Sequence, residues 1–206
     1  MPLPESLHAS TGKIINHVIP EKDVDGISDV SIKSLLTDYK GALNVPCTPA
    51  ACLHILKEYN IDLTGKHCVV INRSRVVGLP LWQMLMQENA TVTVCHSYTK
   101  NIGEIIKQGD IIFSAIGRPH QIKSEWIKPG AVVLDIGTTF VRHEGEQKIT
   151  GDLNFHEVNV KGNFIVKFFP LGCSKSKIDN TSARRRWAID SEHVDKECHQ
   201  ILGKNE

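Results

Sequence analysis

His67-Cys68-Val69-Val70-Ile71-Asn72-Arg73-Ser74-Arg75-Val76-Val77-Gly78 changes character midway. An apolar run, Cys68 to Ile71, stops at Asn72-Arg73-Ser74, and a new apolar-periodic segment starts near Val76. That is the outline of a strand, a tight polar turn and a helix. Such a turn sets backbone N–H groups and a helix N-terminus where an anion can sit. It carries arginine where a dinucleotide fingerprint shows glycines. Gly78 either lets the helix start approach the sheet or a ligand closely or is a tolerated helix glycine.

Working outward, the pattern repeats. The spacing predicts a helix at about 77–88 (Val77, Leu81, Leu85), a strand at 91–95 and a helix at about 101–107. Strand 110–115, a break at Gly117-Arg118-Pro119, a short element around Trp126 and strand 131–135 follow. Strands alternating with helices at this spacing imply a parallel sheet with right-handed crossovers. The strands are near-continuous apolar runs, as when both faces of a sheet are covered. The expected class is α/β, a Rossmann-like doubly wound, mostly parallel sheet.

The flanks read differently. Residues 1–45 are loop-rich, with helical patterns near Lys13–Val18 and Val30–Leu36 and a charged turn, Pro20-Glu21-Lys22-Asp23-Val24-Asp25-Gly26, between them. Thr48 is expected to cap a helix opened by Pro49 and running to about Tyr59. From about Lys167 the apolar pattern thins, and a poorly ordered tail with a helix near Ser191–Leu202 is expected. The basic run Arg184-Arg185-Arg186 has only Trp187 beside it and reads as a solvated segment.

Composition narrows the function classes. The 206 residues are 41% hydrophobic and 23% charged, ordinary for a globular chain, with a net charge of +1. No global field favours nucleic acid or an anionic membrane. No run approaches the roughly 18 to 20 apolar residues of a membrane helix. The N-terminus lacks the basic and then apolar opening of a secretory signal. The cysteines, at 47, 52, 68, 95, 173 and 198, form no C-x-x-C pair. They read as reduced intracellular thiols, mostly small buried hydrophobes, and no finger-like spacing points to zinc.

The tip of the second strand separates the two nicotinamide cofactors, because an acid there bonds the ribose 2′-OH and favours NAD. Here the strand ends Cys95-His96-Ser97-Tyr98-Thr99, without a carboxylate. Arg73 and Arg75 offer guanidinium forks that match a phosphate, and Ser97 offers a hydroxyl. The pattern favours a 2′-phosphate, hence NADP; alternatively both arginines are surface charges at a turn. Asp135, Gly117 and Gly137 follow strands on the side where open α/β sheets bind ligands, or serve turn chemistry there. Asp110 reads as a strand-start residue bonding a turn, and His96 as a base or, more often for a lone histidine at a strand end, a structural residue. Asp23 and Asp25, one residue apart, fall on one side of an extended segment and serve as base or ligand anchor, or simply as a solvated turn.

Together these pieces resemble the bifunctional methylenetetrahydrofolate dehydrogenase/methenyltetrahydrofolate cyclohydrolase family. The matching segments are Pro2-Leu3-Pro4, PEKDVDG at 20–26, PCTP at 46–49, Arg73-Ser74 with Val77-Gly78 and ATVTVCHSYT at 90–99. They continue with GDI at 109–111, IGRP at 116–119, WIKPGAVVLDIG at 126–137 and TGDLNF at 150–155. The resemblance implies a remnant of the folate-binding domain at 1–46, an NADP-binding Rossmann-like domain at 47–166 and a divergent tail at 167–206. It implies Asp25 as a pterin-contacting carboxylate. It also implies Asn72, Arg73, Ser74, Ser97 and Thr138 as cofactor contacts, with Arg73 and Ser97 near the 2′-phosphate. Asn72 stands where the family has glycine, and Thr138 where it has isoleucine. The implied chemistry is NADP-dependent oxidation of 5,10-methylenetetrahydrofolate, then hydrolysis to 10-formyltetrahydrofolate, by a homodimer in the cytoplasm or the mitochondrion. No nucleic acid or membrane partner is implied.

Three departures bear on that chemistry. The family's catalytic lysine and its partner tyrosine precede the Pro-Leu-Pro motif and are absent, so no catalytic residue is assigned in this chain. Met1 stands in place of the motif's glutamine. The expected glycine-proline loop is replaced by Lys167-Phe168-Phe169-Pro170-Leu171-Gly172-Cys173, in which only Pro170 and Gly172 echo it. The expectation is an impaired truncated member, with a catalytically inactive NADP-binding or dimerisation module as the alternative.

Overall fold

The computed structural model describes residues 11–143, 146–154 and 164–167. The Pro-Leu-Pro motif and the tail beyond Lys167, with its expected helix and basic run, lie outside them. The chain divides into two compact units between Tyr98 and Thr99.

The first unit opens with α1 (Thr11–Ile15) and a 3-10 turn at Pro20–Lys22, then α2 (Asp29–Thr37), α3 (Cys47–Glu58), β1 (His67–Ile71), α4 (Gly78–Gln87) and β2 (Thr91–Cys95). The Ser28 side chain caps α2 by accepting the Ser31 N–H, which satisfies one of the free amides of the first turn. The expected Thr48 cap is not used. Pro46 occupies the N-cap without a side-chain bond, and Pro49 fits in the first turn, where its missing N–H has no intrahelical acceptor. Asn60 and Asn89 take left-handed angles just beyond α3 and α4. Ile61 and Ala90 then return their N–H groups to Leu56 and Leu85, which ends each helix without a glycine.

β1 and β2 run parallel, with His67 opposite Thr91 and Ile71 opposite Cys95. Cys68, Val69, Val70 and Ile71 are all buried, as a strand covered on both faces requires. Leu35, Cys52, Ile55, Leu56, Leu81, Met84 and Leu85 complete this core. Each such side chain contributes roughly 1.5–3 kcal/mol by leaving water. Polar contacts tie α2 to α4. Gln87 accepts the Tyr39 N–H (3.0 Å) and donates to the Leu35 carbonyl, while Glu88 takes the Tyr39 hydroxyl and pairs with Lys40 (2.8 Å). Those bonds, from Lys40 first and Tyr39 second, hold the Glu88 carboxyl below its ordinary range.

The second unit contains α5 (Ile102–Gln108), β3 (Ile111–Ser114), a 3-10 turn at Ser124–Trp126, β4 (Val132–Asp135), β5 (Thr139–His143), β6 (Glu146–Thr150) and β7 (Phe164–Lys167). β3, β4 and β7 are neighbours and parallel, with Ile111 opposite Val132 and Val132 opposite Phe164. β5 and β6 form an antiparallel hairpin, Thr139 opposite Thr150, that was not anticipated. Phe113, Ile106, Ile112, Ile122, Ile127, Val133 and Leu134 form the core here. Gly103 is needed because a Cβ there would lie 2.7 Å from the Trp126 indole nitrogen. Among the described residues no helix is long and apolar enough to cross a membrane.

Candidate functional site: the paired strand tips

The parallel register that sets Ile71 opposite Cys95 brings the two following loops side by side. One is Asn72-Arg73-Ser74, the other His96-Ser97-Tyr98. Contact confirms it: the Arg73 guanidinium lies over the Tyr98 ring, 5.7 Å from its centroid. Arg73, Ser74 and Ser97 are all exposed. No salt bridge to Arg73 is formed among the described residues. An exposed guanidinium beside two hydroxyls, with no acid at the tip of β2, is a donor set matched to a dianionic phosphate.

The turn differs from the expected nest of backbone amides. The Asn72 side chain accepts N–H bonds from Ser74 (2.6 Å) and Gly78 (3.2 Å). The Ser74 hydroxyl accepts from Val77 (3.1 Å), and the Ser74 carbonyl accepts from Leu79 (2.9 Å). These amides at the start of α4 are therefore satisfied within the turn. Asn72 is not among the residues with left-handed angles. It shapes the turn by bonding across it, not through an unusual backbone angle. Gly78, by contrast, is required sterically, since a Cβ would fall 2.2 Å from the Asn72 carbonyl oxygen.

Arg75 is engaged elsewhere. Its Nε donates to the Ile27 carbonyl at 3.0 Å and its Nη2 pairs with Asp29. This arginine anchors the segment before α2 and is not a second phosphate fork. Asp29 also takes a bond from Asn16, and that bond, ahead of the Arg75 contact, lowers its pKa.

The expected common side for Asp23 and Asp25 is corrected too. The segment folds as a turn, which buries Asp23 and exposes Asp25. Asp23 accepts from Ile27 N–H (3.2 Å), Ser28 N–H (2.8 Å) and the Ser31 hydroxyl (2.6 Å). Burial opposes its ionisation, but the bonds from Ser28, Ser31 and Ile27 outweigh it and hold the pKa below its ordinary value. Gly26, at φ +64°, packs on the backbone of Asn44, Val45 and Pro46, where a Cβ would meet the Pro46 nitrogen at 2.9 Å. Asp25 is thereby presented on a braced loop.

In the second unit a buried pair of carboxylates shapes the segments after β3 and β6. Asp152 accepts from the Ser114 hydroxyl (2.7 Å), Ile116 N–H (2.7 Å) and Arg118 N–H (3.0 Å). Asp135 accepts from Asp152 N–H (3.0 Å) and Leu153 N–H (3.1 Å). Asp135, expected on the ligand side, is thus bound to backbone. Two glycines make room: a Cβ on Gly137 would lie 2.1 Å from Asp152, and one on Gly151 2.0 Å from Asp135. Sequence reasoning gave Asp152 no role. An acid lies within two residues of a glycine in both Asp135-Ile136-Gly137 and Gly151-Asp152, but spacing alone does not pair them. Thr138 is half-buried in the loop after β4, its hydroxyl 3.5 Å from the Ile136 carbonyl. Asp110 pairs with Lys128 at 2.5 Å, and His96 accepts the Tyr98 N–H at 3.2 Å. Cys52 and Cys95 are buried free thiols whose pKa burial raises. Cys173 and Cys198 lie outside the described residues.

Parallel strands alternating with helices, and a strand-turn-helix tip beside a second tip that carries no acid, define a Rossmann-like α/β protein. The family profile for the tetrahydrofolate dehydrogenase/cyclohydrolase NAD(P)-binding domain matches residues 46–168. The bifunctional protein FolD of Clostridium perfringens is 46% identical over 166 residues, covering 80% of this chain and 57% of that protein. The cytoplasmic C-1-tetrahydrofolate synthase of Homo sapiens is 40% identical over 171 residues, covering 80% of this chain and 18% of that one. The solved FolD of Trypanosoma brucei, complexed with NADP cofactor and inhibitor, superposes with a TM-score of 0.74 at 33% identity, covering 81% of this chain and 57% of that chain. The FolD of Campylobacter jejuni gives 0.73 at 36%, with the same coverage. The chain belongs to the tetrahydrofolate dehydrogenase/cyclohydrolase family. It spans little more than half the length of these FolD relatives and under a fifth of the synthase.

Proposed function

We propose that this chain supplies the NADP-binding part of a folate enzyme. The activity is oxidation of 5,10-methylenetetrahydrofolate to the 5,10-methenyl form and hydrolysis of that product to 10-formyltetrahydrofolate. One observation carries the cofactor choice. Two adjacent strand tips present Arg73, Ser74 and Ser97 to solvent, and no acid stands at the tip of β2. A carboxylate there would repel a 2′-phosphate and accept the hydroxyl of NAD instead. The Arg73 fork can give two charge-assisted bonds to the phosphate. The Ser74 hydroxyl accepts from Val77 and keeps its proton to donate outward. Asn72 acts by building the turn that aims Arg73 and Ser74.

When bound, NADP supplies the hydride acceptor. The chain's own share is to orient that ligand and the pterin, which turns a bimolecular encounter into a positioned one. Thr138 borders the cofactor in this reading, and Asp25, on its braced turn, contacts the pterin. The enzyme works as a homodimer in the cytoplasm, the compartment named for the human synthase relative.

Isothermal titration tests the binding claim. The chain is expected to bind NADP more tightly than NAD. Arg73→Ala is expected to lower NADP affinity roughly ten- to hundredfold, as for a lost bond to a charged group, and to leave NAD unchanged. Equal affinity for both cofactors sinks the assignment. A spectrophotometric assay with methylenetetrahydrofolate and NADP then separates turnover from binding without chemistry.

A further inference from the structure

Tyr98 is an exposed aromatic residue that the fold does not explain. It is 80% solvent-exposed just beyond β2, so no core burial holds it there. Yet it is positioned. Its N–H donates to His96 Nδ1 at 3.2 Å, and the two rings meet edge to face, 6.3 Å apart at 66°. Its face carries the Arg73 guanidinium at 5.7 Å. An arginine with no acid beside it would otherwise sample many rotamers, and fixing them on ligand binding costs affinity.

We propose that Tyr98 is a positioning residue of the cofactor site, holding the Arg73 fork against its ring in the place where a 2′-phosphate is met. The inference rests on the NADP reading above and deepens it: discrimination for the phosphate depends on a second residue that never needs to touch it. The contact acts through the π face, so the phenol hydroxyl is dispensable and the ring is not.

The experiment is titration of the full chain with 2′,5′-ADP, which carries the 2′-phosphate, and with 5′-AMP, which lacks it. Tyr98→Ala is expected to weaken 2′,5′-ADP about two- to fivefold, the range of an exposed cation–π contact at 1.4 kcal/mol per factor of ten. It is expected to leave 5′-AMP unchanged. Tyr98→Phe is expected to restore the wild-type value. In an Arg73→Ala background, Tyr98→Ala is expected to add nothing, because the two residues act as one unit. An equal loss for both ligands, or a full Tyr98→Ala effect without Arg73, overturns the inference and leaves the NADP reading standing. Wild-type chain that does not distinguish 2′,5′-ADP from 5′-AMP overturns both. Circular dichroism of each variant checks the fold.

Discussion

Replacing Asp152 by asparagine changes one buried atom and tests how the loop after β3 is held. The carboxylate is fully buried and accepts from the Ser114 hydroxyl, Ile116 N–H and Arg118 N–H at 2.7–3.0 Å. A carboxamide keeps one acceptor oxygen. Turned toward Ser114 and Ile116, it sets its NH2 against the Arg118 N–H, donor against donor. One charge-assisted bond of about 1.5–3 kcal/mol is lost, and the other two weaken to neutral strength. The expected cost is about 3–4 kcal/mol. At roughly 2–4 °C per kcal/mol for a chain of this size, Tm falls by about 6–16 °C. Calorimetry measures the shift, and hydrogen exchange locates it, with the Ile116 and Arg118 amides exchanging faster in the variant. Ser114→Ala removes a single partner and is expected to cost about 1–2 kcal/mol. A Tm within 2 °C of wild type together with unchanged protection at those amides would refute the account.

Arg75→Ala is expected to loosen the segment before α2, giving faster exchange at Ser28 and Asp29, while NADP affinity stays within about twofold of wild type. A loss as large as that of Arg73→Ala in the same titration shows that Arg75 binds the cofactor after all. Gly78→Ala forces a methyl group onto the Asn72 carbonyl and is expected to cost about 3 kcal/mol, at the upper end for overpacking; an unchanged urea midpoint contradicts this. Asp23 has a folded pKa below its ordinary value of 3.8, so its stabilisation is complete above that value and is lost as pH falls through the folded pKa. Melts from pH 5 down to pH 2 are therefore expected to show a smaller acid-induced loss for Asp23→Asn than for wild type, and parallel curves count against the assignment.

The regular elements were legible because their signals are local. The segments 67–71, 110–115 and 131–135 announce strands by near-continuous apolar character and 91–95 by β-branched alternation, and the described strands match them closely. The tip after β2 was legible for the same reason, since what matters there is a missing acid within a few residues. What stayed hidden is long-range. Asp152 acts on groups 34 to 38 residues away, and Arg75 reaches 48 residues back to Ile27; no periodicity encodes such partners. Asn72 stayed hidden too, because nothing local shows that its side chain accepts two amides at once. Between β5 and β6 the sequence reads Glu144-Gly145, not the Asn-Gly or Asp-Gly pair that marks a two-residue hairpin turn.

The interlock of the two buried aspartates has a consequence for descent. Each carboxylate occupies the space that a side chain on the other loop would need: Asp152 lies where Gly137 would carry a methyl, and Asp135 where Gly151 would. A methyl group on Gly137 pushes on Asp152, which holds the loop after β3, so damage there crosses to another loop; one on Gly151 pushes on Asp135, which holds the amides of Asp152 and Leu153. For descent this means that substitutions at these paired positions are coupled, each accommodated only with a change at its partner.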